Sequence, residues 1–146
     1  MLLDRSQIEA ILPHRDPFLL VDSISRMDEN EVTGHFYVRP DLDVFRGHFP
    51  QEPVLPGVLI VEAIAQTGAV LVLSKPENRG RIAYFGRIDK VRFRRKVIPG
   101  DELELSLRLT RARGPVGSGV GEARVGGEVV AGCELTFVVG DAEEQA

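Results

Sequence analysis

The sequence predicts an α+β fold in which a curved antiparallel sheet wraps around one long central helix. An apolar run over residues 58–73 is long enough for about four helical turns, and its apolar residues cover almost every side. A helix of this kind must be buried. About six β-prone segments surround it, and the turns between the later ones are too short for parallel crossovers.

The part of the chain before the central helix predicts one short helix and two strands. Ser6 and Glu9 have the spacing of a capping box, and Pro13 cannot continue a helix. These features predict a helix of about two turns. Residues 18–27 and 31–39 are β-prone and flank a polar turn, so they predict two antiparallel strands.

The remaining segments predict one irregular connection and a run of strands. Residues 40–56 contain four prolines, and a connection of this length favours a functional role over a simple turn. Alternating leucines from Leu103 to Leu109 predict a strand with one buried face. The predicted later strands are 81–89 and 91–98, either separate or as one bent strand, then 102–113, 120–125 and 128–139.

Length and composition predict a single globular domain over residues 1–140. The 146 residues are 43% hydrophobic and 27% charged, which is ordinary for a globular protein. Residues 141–146 are acidic and lack apolar periodicity, so we expect a frayed tail.

The same composition argues against several classes of protein. The apolar run 58–73 is shorter than the ~20 residues of a membrane span, and the first residues lack a secretory pattern, so we expect a cytoplasmic location. A single cysteine, Cys133, excludes an internal disulfide. The three histidines are scattered without zinc-ligand spacing, and we expect neither a metal nor another cofactor.

Two polar side chains interrupt the apolar central helix. Glu62 and Gln66 lie four residues apart, which puts them on one helix face. A buried carboxylate costs free energy unless it is paired, hydrogen-bonded or protonated, so Glu62 indicates a catalytic role. A sheet of this size covers only part of the helix, and the exposed remainder predicts contact with a second subunit.

Several motifs follow one another in a characteristic order. They are LPHRDPFLLVD at 12–22, GHFP at 47–50, PVLPGVLIVEAIAQ at 53–66, YF at 84–85 with IDKVRF at 88–93, and PGD at 99–101. Together they resemble the bacterial (3R)-3-hydroxyacyl-acyl-carrier-protein dehydratases of type II fatty acid synthesis. The resemblance implies a hot-dog fold, a homodimer whose two sheets join, and a homohexamer of three dimers. Residues 114–127 depart from the family, because they are glycine-rich and lack its aromatic and lysine residues.

Removing water from a 3-hydroxyacyl thioester to give the trans-2-enoyl product requires three chemical groups. A base takes the C2 proton, a donor stabilises charge on the thioester oxygen, and an acid protonates the leaving hydroxide. His48 lies in a loop, where a neutral imidazole suits the base. The amides of Gly57 and Val58 at the helix start suit the oxyanion. Burial favours a protonated Glu62, which suits the acid.

The resemblance also implies that His48 and Glu62 come from opposite subunits. Without it, an isolated histidine such as His48 is more often structural or exposed. Gln66 is expected to position the catalytic groups by hydrogen bonding. Tyr84 and Phe85 are expected to line or gate the acyl tunnel, with plain core packing as the alternative. The other two histidines are expected to have no catalytic role. We expect His14 to pack against its surroundings or to orient its loop, and His35 to occupy an exposed strand position.

One segment is strongly basic although the protein carries a net charge of −4. Acyl carrier protein is acidic, so a basic rim at the tunnel mouth would steer it towards the site. A solvated strand face is the alternative, and nucleic acid fits poorly because no aromatic pattern accompanies the charges. The basic residues are Arg87, Lys90, Arg92, Arg94, Arg95 and Lys96.

Two other activities on the same fold are weighed against the dehydratase. A thioesterase would release free thiol and would not need the histidine of the GHFP motif. A non-catalytic acyl-binding module would bind the thioester without turnover. The dehydratases that also isomerise the double bond carry an aspartate where this chain has Glu62.

Overall fold

The computed structural model describes residues 1–141. Within them, two α-helices and six β-strands follow one another along the chain. The helices are α1 (Arg5–Ile11) and α2 (Gly57–Leu73), and the strands are β1 (Ser23–Met27), β2 (Glu31–Tyr37), β3 (Ile82–Phe93), β4 (Glu102–Arg113), β5 (Val116–Val125) and β6 (Glu128–Gly140). Apart from Asp141, the predicted tail lies outside the described residues, and the domain limits 1–140 stay a prediction.

The six strands form a single antiparallel sheet in the order β1-β2-β4-β5-β6-β3. The sheet curls around α2, which packs against every strand from β2 to β6. This architecture confirms the predicted α+β fold with a curved sheet around a central helix. β1 and β3 are the two edges, so one side of β3 has no partner strand within the described part of the chain.

The central helix is buried almost entirely by its own chain. Every residue of α2 from Ala63 to Leu73 is buried, whereas Val58 in the first turn is 74% exposed. The prediction that the sheet leaves part of this helix exposed is therefore wrong beyond the first turn of the helix. The larger apolar exposure lies on β3, at Tyr84, Phe85, Ile88, Val91 and Phe93. No helix among residues 1–141 is both long and apolar enough to cross a membrane.

Glycines allow the helix and the sheet to approach each other closely. A Cβ atom on Gly121 of β5 would collide with Ile64, which is fully buried in α2. A Cβ on Gly68 of α2 would lie 2.8 Å from Leu107 Cδ2 and 2.9 Å from Phe137 Cζ. The glycine-rich β5 therefore lets α2 lie against the sheet at a distance that side chains would prevent.

Several element boundaries differ from the predicted ones. The first strand begins at Ser23 rather than residue 18, because the backbone around Phe18 and Leu20 bonds to a side chain of α2 instead of a strand. β2 ends at Tyr37, two residues before its predicted limit. The cap of α1 is Asp4 rather than Ser6, and its carboxylate accepts a 2.8 Å hydrogen bond from the amide of Gln7.

The later strands differ from prediction at two places. β3 is one strand with two bulges, which confirms the bent-strand alternative, but it ends at Phe93, so residues 94–98 lie outside it. β5 begins at Val116 rather than residue 120 and continues through the glycines. Glycine has no side chain to show the period-two pattern, which is why the sequence hides this part of the strand.

Candidate active site

A cavity of about 220 Å³ opens between α2, β3 and the loop that follows α1. Its walls are largely apolar, and its polar side chains come from three separate elements. Because the cavity is apolar with a few convergent polar groups, it has the character of a small-molecule site. The lining residues include His14 and Phe18 from the loop, Glu62 and Gln66 from α2, and Tyr84 and Phe85 from β3.

Gln66 is the most firmly held polar side chain in this cavity. It is 1% exposed, and its Oε1 accepts a 2.7 Å hydrogen bond from the Leu20 amide. Its Nε2 donates to the Phe18 carbonyl at 2.8 Å and to Glu62 Oε2 at 2.9 Å. The i, i+4 spacing predicted the contact with Glu62. The bonds to Phe18 and Leu20 explain how the loop stays against α2.

The loop itself is anchored at its far end by Asp22. One oxygen of this carboxylate accepts a 2.7 Å hydrogen bond from Arg5 of α1, and the other accepts a 2.7 Å bond from the amide of Tyr37 in β2. A second guanidinium nitrogen of Arg5 donates to the Leu19 carbonyl at 3.3 Å. The loop is therefore tied to α1, to β2 and, through Gln66, to α2.

His14 reaches the same carboxyl group as Gln66, which the sequence reasoning missed. Its Nε2 lies 3.6 Å from Glu62 Oε2, and the two side chains are 22% and 17% exposed. Burial lowers the pKa of His14 below its ordinary value of 6.5, against the attraction of Glu62 and with a further lowering by Arg15. His14 is therefore neutral at neutral pH. Its place in the LPHRDPFLLVD motif was the only sequence signal.

The predicted base, His48, lies in the loop between β2 and α2. Its Nδ1 is 2.6 Å from the Val54 carbonyl oxygen, and its ring packs on that of Phe49 with centroids 4.2 Å apart. Because a carbonyl oxygen only accepts hydrogen bonds, Nδ1 must carry the proton in a neutral ring. Nε2 then has a free lone pair, which is the form that a general base needs.

The first turn of α2 lies next to this loop in the sequence. Within residues 1–141, neither the Gly57 amide nor the Val58 amide donates a hydrogen bond, as expected for the first turn of a helix. Gly57 is required for a reason that the sequence did not reveal. A Cβ there would lie 2.7 Å from two ring carbons of Phe93, whose ring covers the start of the helix.

These contacts define two halves of a site. We call the cavity with Glu62, Gln66 and His14 the cavity half, and His48 with the first turn of α2 the loop half. Among the described residues, His48 is not part of the cavity wall, and no hydrogen bond joins it to Glu62. One chain therefore does not bring the predicted base and acid into contact.

Comparison with known proteins identifies the family. A family model described as the FabA-like domain matches residues 12–134. The 3-hydroxyacyl-(acyl-carrier-protein) dehydratase FabZ of Bacillus velezensis is 55% identical over 141 residues, which cover 96% of this chain and 100% of that protein. The chain belongs to the FabZ dehydratase family. This confirms the resemblance read from the motifs.

Other relatives and a solved structure agree with this assignment. FabZ of Bacillus subtilis is 54% identical over 96% of this chain and 100% of its own length. FabZ of Clostridium botulinum is 54% identical over 94% of this chain and 96% of its own length. The dehydratase heterocomplex ApeI:P from Xenorhabdus doucetiae superposes with a TM-score of 0.81 at 22% identity, covering 94% of this chain and 93% of that one. The last comparison supports the hot-dog fold.

The FabZ relatives are named as dehydratases of 3-hydroxyacyl-(acyl-carrier-protein). The predicted basic residues of this chain are exposed but differ in their surroundings. Four of them lie within 4 Å of a carboxylate, at Asp89, Glu134, Glu128 and Glu52. Within residues 1–141, Arg92 and Arg94 have no such partner. None of the six lines the cavity, so their role at its mouth stays a prediction.

Proposed function

We propose that His48 of one subunit and Glu62 of its partner form the active site of this FabZ-family dehydratase. The reaction is the removal of water from a (3R)-3-hydroxyacyl-acyl-carrier-protein, which gives the trans-2-enoyl product in fatty acid elongation. One observation carries the proposal: Glu62 lies in an apolar cavity whose wall, within residues 1–141, does not include His48, while the hydrogen bond of His48 to the Val54 carbonyl leaves its Nε2 free to act as a base.

His48 acts as the base in this proposal. Its Nε2 takes the proton from C2, and the electron pair of the C–H bond forms the double bond to C3 as the C3–O bond breaks. The Val54 carbonyl holds Nδ1–H and so keeps the lone pair on Nε2. It also stabilises the imidazolium that forms, because Nδ1–H remains hydrogen-bonded.

The start of α2 stabilises the charge on the thioester oxygen. The amides of Gly57 and Val58 have no partner among the described residues, and the dipole of a 17-residue helix adds positive potential at this end. Both features favour an enolate-like oxygen at this position. They lie in the same subunit as the base, nine and ten residues along the chain from it.

Glu62 acts as the acid. Its proton goes to the hydroxyl leaving C3, which departs as water, and Glu62 becomes a carboxylate. Exchange of one proton with solvent at each of His48 and Glu62 then restores the starting enzyme. The walls formed by Phe18, Tyr84 and Phe85 would hold the acyl chain beside this carboxyl group.

A homodimer supplies the missing half of each site. The free edge of β3 and its exposed apolar side chains suit pairing with a second copy of the same strand, which joins the two sheets. Such a pairing covers Ile88 and Phe93 and brings the loop half of one copy towards the cavity half of the other. Three such dimers would form the homohexamer.

Acyl carrier protein is the proposed partner that delivers the substrate. Relatives carry this protein in their names, and Arg92 near the end of β3 and Arg94 just after it supply positive charge that no carboxylate within residues 1–141 pairs. We place the enzyme in the cytoplasm, as expected for a relative of fatty acid synthesis dehydratases.

The test of the shared site is complementation between two inactive variants. His48→Ala and Glu62→Gln are each expected to lose activity by about a hundredfold or more, because each removes one general acid or base. Mixing the two chains by co-expression or by unfolding and refolding yields half mixed dimers. In each of these, one of two sites keeps both residues, so about a quarter of the wild-type rate returns.

The measurement follows absorbance of a crotonyl or 3-hydroxybutyryl thioester together with thiol release. Size-exclusion chromatography checks that both variants assemble as the wild type does. Full activity in either single variant, or no recovery in a correctly mixed sample, would refute the two-subunit site. Thiol release without enoyl product would indicate a thioesterase instead.

A further inference from the structure

The two oxygens of the Glu62 carboxyl group have different surroundings. Oε2 lies 2.9 Å from the Nε2 of Gln66 and 3.6 Å from the Nε2 of His14. Among residues 1–141, no donor contacts Oε1. An acid that delivers a proton to a substrate carries it on one oxygen, so this asymmetry bears on the reaction.

The orientation of the Gln66 amide follows from its backbone partners. The Leu20 amide can only donate, so the atom facing it must be the side-chain oxygen. The Phe18 carbonyl can only accept, so the atom facing it must be the nitrogen. A flipped amide would lose both bonds inside a buried network. Nε2–H is therefore directed at Glu62 Oε2.

The proton position on His14 follows in the same way. Its Nδ1 is buried and has no hydrogen-bond partner within the described part of the chain. A proton there would leave a buried donor without an acceptor, which costs more than an unused acceptor. The proton therefore belongs on Nε2, where it faces Glu62 Oε2. The 3.6 Å separation is too long for a full hydrogen bond, and the N–H acts as an oriented dipole.

We propose that Gln66 and His14 are positioning residues that assign the two oxygens of Glu62, so that Oε2 is the fixed acceptor and Oε1 carries the proton given to the leaving hydroxyl. The inference rests on the proposed acid role of Glu62. When the proton leaves Oε1, both N–H groups already face the carboxylate and stabilise its new charge without reorganisation. Neither residue needs to touch the substrate.

A matched pair of substitutions at His14 tests this assignment. A glutamine places its amide nitrogen near the position of the histidine Nε2, whereas an asparagine is too short to do so. His14→Gln is expected to keep kcat within about twofold of the wild type. His14→Asn is expected to lower kcat by up to about tenfold, because an N–H dipole directed at the developing charge is lost. KM for a 3-hydroxyacyl thioester should stay unchanged in both, since the donors act on the carboxyl group.

Gln66→Met is a harsher test, since it keeps the length and removes the donor. Its kcat should fall by about tenfold to a hundredfold, again without a change in KM. This variant also breaks the bonds to Phe18 and Leu20, so its folding is checked by thermal unfolding. If it fails to fold, the comparison of His14→Gln with His14→Asn alone tests the assignment of the two Glu62 oxygens.

The outcomes separate this inference from the proposed function. Equal rates in His14→Gln and His14→Asn, or a loss confined to KM, would overturn the oxygen assignment. Glu62→Gln is measured in parallel. If it is inactive while the His14 variants match the wild type, only the assignment fails. If Glu62→Gln retains full activity, the acid role fails, and the assignment fails with it.

Discussion

The cavity half and the loop half of the site are built in contrasting ways. In the cavity half, Gln66 is 1% exposed and makes three hydrogen bonds to a loop and to Glu62. In the loop half, the His48 side chain has one hydrogen bond within residues 1–141, and the neighbouring Phe49 is 57% exposed. The chain surrounds the proposed acid by itself, whereas the proposed base is half-buried beside an exposed ring. The difference favours the proposal that a second subunit completes the loop half.

The largest expected effect comes from separating the halves. Ile88→Asp places a charge on the exposed apolar face of β3, which would be buried against the second copy. We expect loss of the dimer and a fall in activity of about a hundredfold or more, because acid and base no longer meet. Val120→Asp, at a similarly exposed valine of β5, is the control. It should keep both the dimer and the dehydratase activity. Sedimentation measures dimer formation, and the dehydration assay measures activity. An active monomer would contradict a site shared between two subunits.

A second change weakens the packing of α2, which carries Glu62 and Gln66, against β5. Gly121→Ala brings a methyl group into the buried Ile64, and we expect a loss of about 1–3 kcal/mol in the free energy of unfolding. Gly117→Ala on the same strand meets only a backbone oxygen at 3.8 Å, so its loss should be clearly smaller. Urea unfolding of both variants gives the comparison. Equal losses would mean that the helix is not seated on β5 as described.

A third change concerns delivery of the substrate and not its chemistry. Replacing Arg92 and Arg94 by glutamate should raise KM for an acyl carrier protein substrate by about tenfold at low salt, with kcat unchanged. The same enzyme should handle a short pantetheine thioester normally. The control replaces Arg87 and Lys90, which already face carboxylates, by glutamine. This change should raise the same KM by a smaller factor. An equal rise with both substrates would argue against docking at these arginines.

The smallest expected effect is on the pH dependence of stability. Burial lowers the pKa of His14 in the folded protein, so the unfolded chain binds the extra proton first as pH falls. Stability from this residue is complete above about pH 6.5 and declines below it, with a slope of at most about 1.4 kcal/mol per pH unit. His14→Gln should flatten the wild-type curve in that range. Chemical unfolding between pH 5 and pH 8 measures the free energy of unfolding of both proteins. If His14→Gln has the same slope against pH as the wild type, the pKa of His14 is not lowered by folding.

Much of this site could be predicted because it depends on short-range patterns. The i, i+4 spacing of Glu62 and Gln66 fixes their contact once a helix forms, and the structure confirms it at 2.9 Å. The apolar run 58–73 likewise required a buried helix whatever surrounded it. His14 was missed because it lies 48 residues from Glu62 along the chain, and no local period links a loop residue to a helix face.

By itself, the amino-acid sequence determined the central helix, the contact between Glu62 and Gln66 on one of its faces, the antiparallel sheet and the FabZ family. Each of these follows from residue types at fixed spacings, which act through local backbone geometry and apolar burial. The tertiary structure alone decided that His14 and the Phe18 to Leu20 backbone surround the acid, and that β3 rather than the helix carries the exposed apolar surface. Those contacts depend on how distant segments meet around α2, where packing of specific side chains selects the arrangement.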